Sequence, residues 1–394
     1  MSYVLNLSVE IGAVVSIVLN FLIFFIKGQK FNKAKISDVV TFILFSFILF
    51  FSVYLYVIQK DFIFFKLLLS AFIFLFFLID IKTLTKDSKT KILKNLIISL
   101  ILFLSVFCLN FSNPLIIFLL LDLVLFLSYK YSSLNTQTID LNFKIISLSA
   151  STVFYFSYFL NLFFDLEIFK LLFIFSFLLK TGIFPFVNYL TTTKNKNNIS
   201  YSILIFNYIP LIFSIEFLKI YSSTTPASLI QNTLFGFILL NSLTIAVFIP
   251  LERNIIRILS SVSLFYFSFV LVNLILFKDV FFIKLMFLYS FIVLFGFYLL
   301  NVLKIKGNIN KLNLKTIKGL YYINRNISFC LTLILLINCI VLPLTILYCR
   351  KIGFYTGYYF LILNTFILFS VLKIIQNLFT VNLKPLIKFK KSSD

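Results

Sequence analysis

The chain has 394 residues, 61% of them hydrophobic and only 12% charged, with 35 Lys and Arg against 13 Asp and Glu and a formal net charge of +22. Runs of about 18 or more apolar residues recur from end to end, each long enough to cross a ~30 Å hydrocarbon core, which excludes a soluble globular enzyme. The basic excess would suggest nucleic acid in a soluble protein, but the lysines here sit in short loops between apolar runs and read as topology signals, so no nucleic-acid partner is expected.

In chain order the apolar runs predict an all-α polytopic membrane protein with thirteen spans. The first three cover 3–26, 37–58 and 62–80. Spans 4 to 8 cover 95–112, 115–129, 145–164, 168–187 and 200–220. Spans 9 to 13 cover 230–250, 255–277, 281–303, 327–350 and 354–378. With each basic residue assigned to its nearest span end, 25 of the 35 fall on one side of the membrane. The other side holds only Lys60, Lys66, Lys170, Lys219, Lys278 and Lys284. Lys180, Arg350, Lys351 and Lys373 are set apart as mid-span or functional residues. The positive-inside rule then puts the basic side, and the C-terminal tail 379–394, in the matrix or cytoplasm, with the N-terminus opposite. The tail and the segment 304–326 read as solvated basic surface against anionic phospholipid headgroups, cardiolipin among them, or a neighbouring subunit.

Residue usage is skewed: Phe 56, Tyr 20, Lys nearly everywhere Arg would serve, Trp 0 and His 0. An AT-rich genome pushes codons that way. The chain begins Met-Ser-Tyr-Val-Leu without an Arg-rich amphipathic leader. A mitochondrially encoded inner-membrane protein fits both facts, as would a protein of an AT-rich bacterium or parasite. Cys108, Cys330, Cys339 and Cys349 all lie in apolar runs, form no CxxC pair and have no histidine to join them, so they read as small buried apolar residues. No cofactor and no metal site is expected in this chain.

Polar groups inside the spans are the candidates for function, because charge and unpaired backbone are both expensive in lipid. Asp122 is centred in span 5. Lys180 precedes Thr181-Gly182-Ile183-Phe184-Pro185, where proline and glycine should make span 7 discontinuous. Pro343 should break span 12 in the same way, with Arg350 and Lys351 after it. Two proline-broken helices that each carry a cation, one per half, point to an ion path. Span 8 holds Asn207-Tyr208-Ile209-Pro210, a third break without a central charge, followed by Glu216 and Lys219 at i and i+3. Glu10 and Asp80 lie close enough to an interface to snorkel or pair there. Ser147, Ser149, Ser151, Asn241 and Asn273 need no role beyond packing and hydrogen bonding between helices.

This constellation resembles the antiporter-like proton-channel subunits of respiratory complex I, NADH:ubiquinone oxidoreductase, and chain two among them. Leu120-Leu121-Asp122-Leu123-Val124 resembles the Gly-Leu-Glu-Met-Asn of the family's span 5, with Asp122 for its glutamate. Leu179-Lys180-Thr181-Gly182-Ile183-Phe184-Pro185-Phe186 is similar to Lys-Leu-Gly-x-x-Pro-Phe-His, with Lys180 as the channel lysine. Ile256-Arg257-Ile258-Leu259 is similar to the opening of span 10, and Leu342-Pro343-Leu344-Thr345 to the span-12 motif, which places Arg350 near the terminal channel cation. The likeness covers roughly 95–378. Two positions depart: Tyr208 stands for the span-8 lysine of Gln-Lys-Leu-Ala-Pro, and Val187 for the histidine after Pro-Phe.

The resemblance implies an antiporter-like fold: three extra helices in 1–94, then inverted five-helix repeats in 95–221 and 222–378. It implies a core membrane-arm subunit contributing to proton translocation coupled to NADH oxidation and ubiquinone reduction. Asp122, Lys180, Tyr208, Arg350 and Lys351 are then the proton-path residues, and FMN, iron–sulfur clusters and ubiquinone belong elsewhere in the complex. Other membrane-arm subunits are the implied partners. Chain four of the same complex, a multi-subunit sodium/proton antiporter subunit, or a structural subunit with a decayed channel remain open.

Overall fold

The computed structural model describes residues 8–25, 33–58, 63–80, 88–134, 141–164, 166–180, 199–224, 228–306, 312–348 and 354–380. Among them are helices α1 (Ser8–Phe25), α2 (Lys33–Ile58), α3 (Ile63–Asp80), α4 (Ser88–Cys108), α5 (Pro114–Ser133), α6 (Leu141–Phe164) and α7 (Glu167–Leu179). After these come α8 (Ile199–Ile203), α9 (Ile209–Thr224), α10 (Ser228–Phe248), α11 (Ile255–Phe277), α12 (Val280–Lys306), α13 (Leu320–Ile323), α14 (Arg325–Tyr348) and α15 (Phe354–Phe379). Each predicted span meets a helical segment, and the described residues form no strand, only an isolated bridge between Asn254 and Asn313. Eight of the segments are long and apolar enough to cross a membrane. This is a multi-pass helical membrane protein.

The helices fall into two compact units, Met1–Ile139 and Asp140–Asp394. In the first, α1 packs on α2 and α4, and α4 on α5. Its interior holds a polar seam. Ser99 Oγ and Ser16 Oγ are 2.8 Å apart. Asn20 donates to the Ser16 carbonyl at 2.9 Å and accepts from Ser37 Oγ at 2.6 Å. Asn95 then donates to Ser37 Oγ and to Asp38 Oδ1, both at 2.9 Å, and Lys91 pairs with Asp38 Oδ2. Such contacts between helices replace the water that lipid cannot supply. Gly12 lets α1 and α2 approach closely, since an added Cβ would lie 2.7 Å from Ile48 Cγ1. Gly236 in α10 has nothing within 4 Å of the same position. Gly12→Ala is therefore expected to destabilise by about 1–2 kcal/mol, overpacking exceeding the gain in helix propensity. Gly236→Ala should stabilise by up to ~1 kcal/mol, and denaturant titration in detergent checks the order of the two.

In the second unit α11 is apolar on every face and almost wholly enclosed, by α9, α10, α12 and α15, as a helix hydrophobic all round should be. Its start is tightly capped. Asn254 accepts from the Ile256 N–H at 3.0 Å, and Glu252 Oε2 accepts from Arg257 Nη1 at 2.8 Å. Burial pushes the Glu252 carboxyl up, but Arg257 and the Asn254 and Arg253 backbone N–H groups outweigh it and hold it below the usual carboxylate range. Arg257, singled out by its motif, is thus part of a helix cap.

Three expectations change here. The segment 304–326 is not merely solvated: Leu312, Ile317 and Leu320 are buried, and Leu314 N–H donates to the Arg253 carbonyl at 3.0 Å, while Lys315 and Lys318 stay exposed. Cys330 is exposed on α14, whereas Cys108 and Cys339 are buried as expected, and Cys349 lies outside the described residues. Pro343 does not end its helix, since α14 runs through it from Arg325 to Tyr348. Proline cannot donate to the carbonyl four residues back, that of Cys339. Asn364 Nδ2 of α15 donates there instead, at 2.9 Å, so the lost bond is replaced from outside the helix.

Candidate functional site

Lys180 follows the last residue of α7 and is 2% exposed. α7 lies against α6 through Phe173, whose ring centroid is 5.0 Å from that of Phe154 and 6.0 Å from that of Tyr158. In this antiparallel register, seven residues along α7 from Phe173 meet seven residues back along α6 from Tyr158. Lys180 thereby reaches Ser151, and its Nζ donates to Ser151 Oγ at 2.6 Å. Ser151 in turn donates to the Ser147 carbonyl at 2.9 Å. With its own proton so placed, the hydroxyl is oriented to accept from an ammonium. Ser151 had no functional role from sequence. The signal was there in Ser147 and Ser151 one turn apart on a Phe-rich helix, but it did not tell packing from a lysine partner.

Tyr208 is fully buried at the end of a π turn, Leu204–Tyr208, closed by the Ile209 N–H on the Leu204 carbonyl. The turn meets the need set by Pro210, which cannot donate to the carbonyl of Phe206. The expected interruption of span 8 is thus a change of hydrogen-bond register within a continuous helix. Beside Tyr208, Asn207 Nδ2 donates to the Ser290 carbonyl of α12 at 2.9 Å.

Asp122 lies half-buried in the middle of α5, in the first unit, and Lys180 belongs to the second. Arg350 and Lys351, and the Thr181–Phe186 stretch with its expected break, lie outside the described residues. Along α14, between Asn338 and Thr345, lies a line of hydroxyls that sequence reading did not find. Tyr266 of α11 donates to the Asn338 carbonyl and stacks on Tyr289 of α12, with ring centroids 4.0 Å apart. Tyr289 lies 3.3 Å from Thr345 Oγ1.

The weaker candidates are paired, as their places near the span ends suggested. Glu216 meets Lys219 at 3.1 Å within α9. Glu10 Oε1 receives Lys66 Nζ at 2.7 Å. Asp80 receives the Tyr131 hydroxyl, with Lys94 3.5 Å away and over the Tyr131 ring.

No protein-family model and no curated protein matches the sequence. Solved structures do. A chain of respiratory complex I from Thermus thermophilus with bound aureothin superposes with a TM-score of 0.74 at 10% identity, over 94% of this chain and 90% of that one. A chain of the Mrp complex from Dietzia sp. DQ12-45-1b gives 0.75 at 12% identity, over 97% of this chain and 80% of that one. A chain of the membrane-bound sulfane sulfur reductase, an archaeal respiratory membrane complex, gives 0.69 at 12% identity, over 99% and 90%. At these identities the likeness establishes the fold, that of the antiporter-like membrane subunits.

Proposed function

We propose that this chain is a membrane-arm subunit of a respiratory complex I, mitochondrially encoded and equivalent to chain two, that contributes to proton translocation. The observation that carries the reading is Lys180, a buried ammonium whose hydroxyl acceptor is fixed by a second hydrogen bond, in a fold shared with such subunits. A lysine held this way in lipid is costly, and such residues characteristically mark ion paths and proton relays. NADH oxidation and ubiquinone reduction take place in other subunits, with FMN and iron–sulfur clusters there. Charge rearrangement along the membrane arm reaches this chain at its intramembrane charges, Asp122 and Lys180, and changes how tightly Lys180 holds its proton. A fall in that affinity releases the proton toward the second half of the chain. Arg350 biases it electrostatically without deprotonating, and Lys351 is the titratable neighbour that accepts it. Tyr208 contributes a hydroxyl to the path where the family has a lysine.

In this reading the protein lies in the mitochondrial inner membrane with its N-terminus in the intermembrane space and its C-terminus in the matrix. Neighbouring membrane-arm subunits and anionic phospholipids such as cardiolipin contact it there. Migration with NADH dehydrogenase activity on a native gel is the expected result. The likeness to the Mrp complex favours a second reading, a subunit of a multi-subunit antiporter. That reading gains if the chain migrates in a large complex devoid of NADH oxidation. Purification as an active monomer removes both.

A further inference from the structure

Buried serines in the second unit ordinarily return their hydroxyl proton to a carbonyl of their own helix, as Ser260 does to Ile256 at 2.8 Å and Ser268 to Leu264 at 2.9 Å. Ser290 of α12 does not: its Oγ is buried and has no hydrogen-bond partner among the described residues. A buried asparagine needs a donor for its side-chain carbonyl, as Asn20 finds in Ser37. Asn207 finds none. Its Nδ2 donates to the Ser290 carbonyl at 2.9 Å, which fixes the amide one way round, because a carbonyl only accepts. Oδ1 is left buried and unpartnered. The two residues are 0% and 1% exposed. Both orphaned atoms thus flank a single hydrogen bond, yet they do not bond to each other. We infer that an ordered water is bound there, between the π turn of span 8 and α12, and that it is a step of the proton path. Such a water donates to Asn207 Oδ1 and accepts from the Ser290 hydroxyl, which gives it the two polar partners that a buried water requires. Its place in a path rests on the reading of Lys180 above; its binding does not.

The place of the two residues gives such a water its use. Asn207 and Ser290 each lie about 12–15 Å from the start of their helical segments, near the middle of a ~30 Å hydrocarbon core, where bulk water does not reach. The π turn that Pro210 calls for spans the same five residues, so the widened stretch of helix and the unpartnered amide coincide. On one side the neighbour in sequence is Tyr208. On the other it is Tyr289, which lies 3.3 Å from Thr345 Oγ1 on α14. The water therefore sits between the level of Tyr208 and the hydroxyls along α14. The step is balanced. One proton is added to the water oxygen and another passes to Ser290 Oγ, which gives up its own, so both groups end as they began and one charge has moved.

The test is a density map of the intact complex in lipid, taken to a resolution at which buried waters appear, together with proton flux per NADH oxidised in Ser290→Ala, Ser290→Thr and Lys180→Met. A water within about 2.7–3.2 Å of both Asn207 Oδ1 and Ser290 Oγ is expected in the wild type. Ser290→Ala should lose it and slow flux about tenfold, the scale of one hydrogen bond, and Ser290→Thr, which keeps a hydroxyl, should restore most of the rate. A wild-type map that shows buried waters elsewhere but none here, or one in which Ser290 Oγ bonds directly to Asn207, overturns the site whether or not any variant folds. Full flux in Ser290→Ala beside lost flux in Lys180→Met overturns the step and leaves the Lys180 reading standing. Full flux in both overturns that reading and the step that rests on it, and the map alone then decides the water.

Discussion

Lys180→Met is expected to reduce proton flux through this subunit by about 100-fold, the scale on which a positioned proton-transfer group contributes. The measurement is dye-reported acidification in proteoliposomes containing the intact complex, normalised to NADH oxidised. Methionine keeps the length and apolar stem of lysine, so the aromatic contacts of α6 with α7 at Phe154, Tyr158 and Phe173 should persist. What goes is the proton that Nζ donates to Ser151. Lys180→Arg separates charge from chemistry: it retains the cation but not a releasable proton, and should be nearly as inactive as the methionine variant. Ser151→Ala removes one acceptor, worth about 1–1.5 kcal/mol, and should slow flux by roughly tenfold without abolishing it. A Lys180→Met complex with unchanged stoichiometry and rate would leave the chain a scaffold with a decayed channel.

The positions of the helices were legible because the property that makes a span, a long apolar run, is local. The breaks were half legible, and Pro210 and Pro343 show why. Proline dictates that one donor is missing, at Phe206 or at Cys339, but not how the chain responds. At Pro210 the answer is a local π turn; at Pro343 it is Asn364, on the next helix, donating to the orphaned carbonyl of Cys339. Side-chain partners were the least legible. Glu216 and Lys219 could be paired from i,i+3 spacing alone. The partners Lys180–Ser151 and Glu10–Lys66 join different helices, so their spacing in sequence holds no information about their meeting. The same applies to the seam from Ser99 to Lys91, built of residues that each look like ordinary helix-packing serines and asparagines. Sequence identified Lys180 and Glu10 as the expensive residues, and tertiary register decided what stabilises them.

That decision has its largest consequence for stability at Lys66. The Glu10 and Lys66 side chains are 4% and 5% exposed, so solvent screening does not weaken the pair as it would on a surface. Removing one partner strands a buried charge. Lys66→Met is therefore expected to destabilise the protein by about 3–5 kcal/mol, since Asn110 alone would remain to solvate the carboxylate. Removing both charges is a different matter. In Glu10→Gln/Lys66→Met the glutamine carbonyl can still accept from Asn110, and the methionine fills the space of the lysine stem. The double variant should recover most of the lost stability, because the desolvation cost of two ions disappears along with their attraction. Denaturant unfolding in detergent of wild type, both single variants and the double variant closes the cycle and gives the coupling between the two residues. Single variants within about 1 kcal/mol of wild type, the range of exposed pairs, would mean that water reaches this site and that the ion pair does not hold α1 to α3.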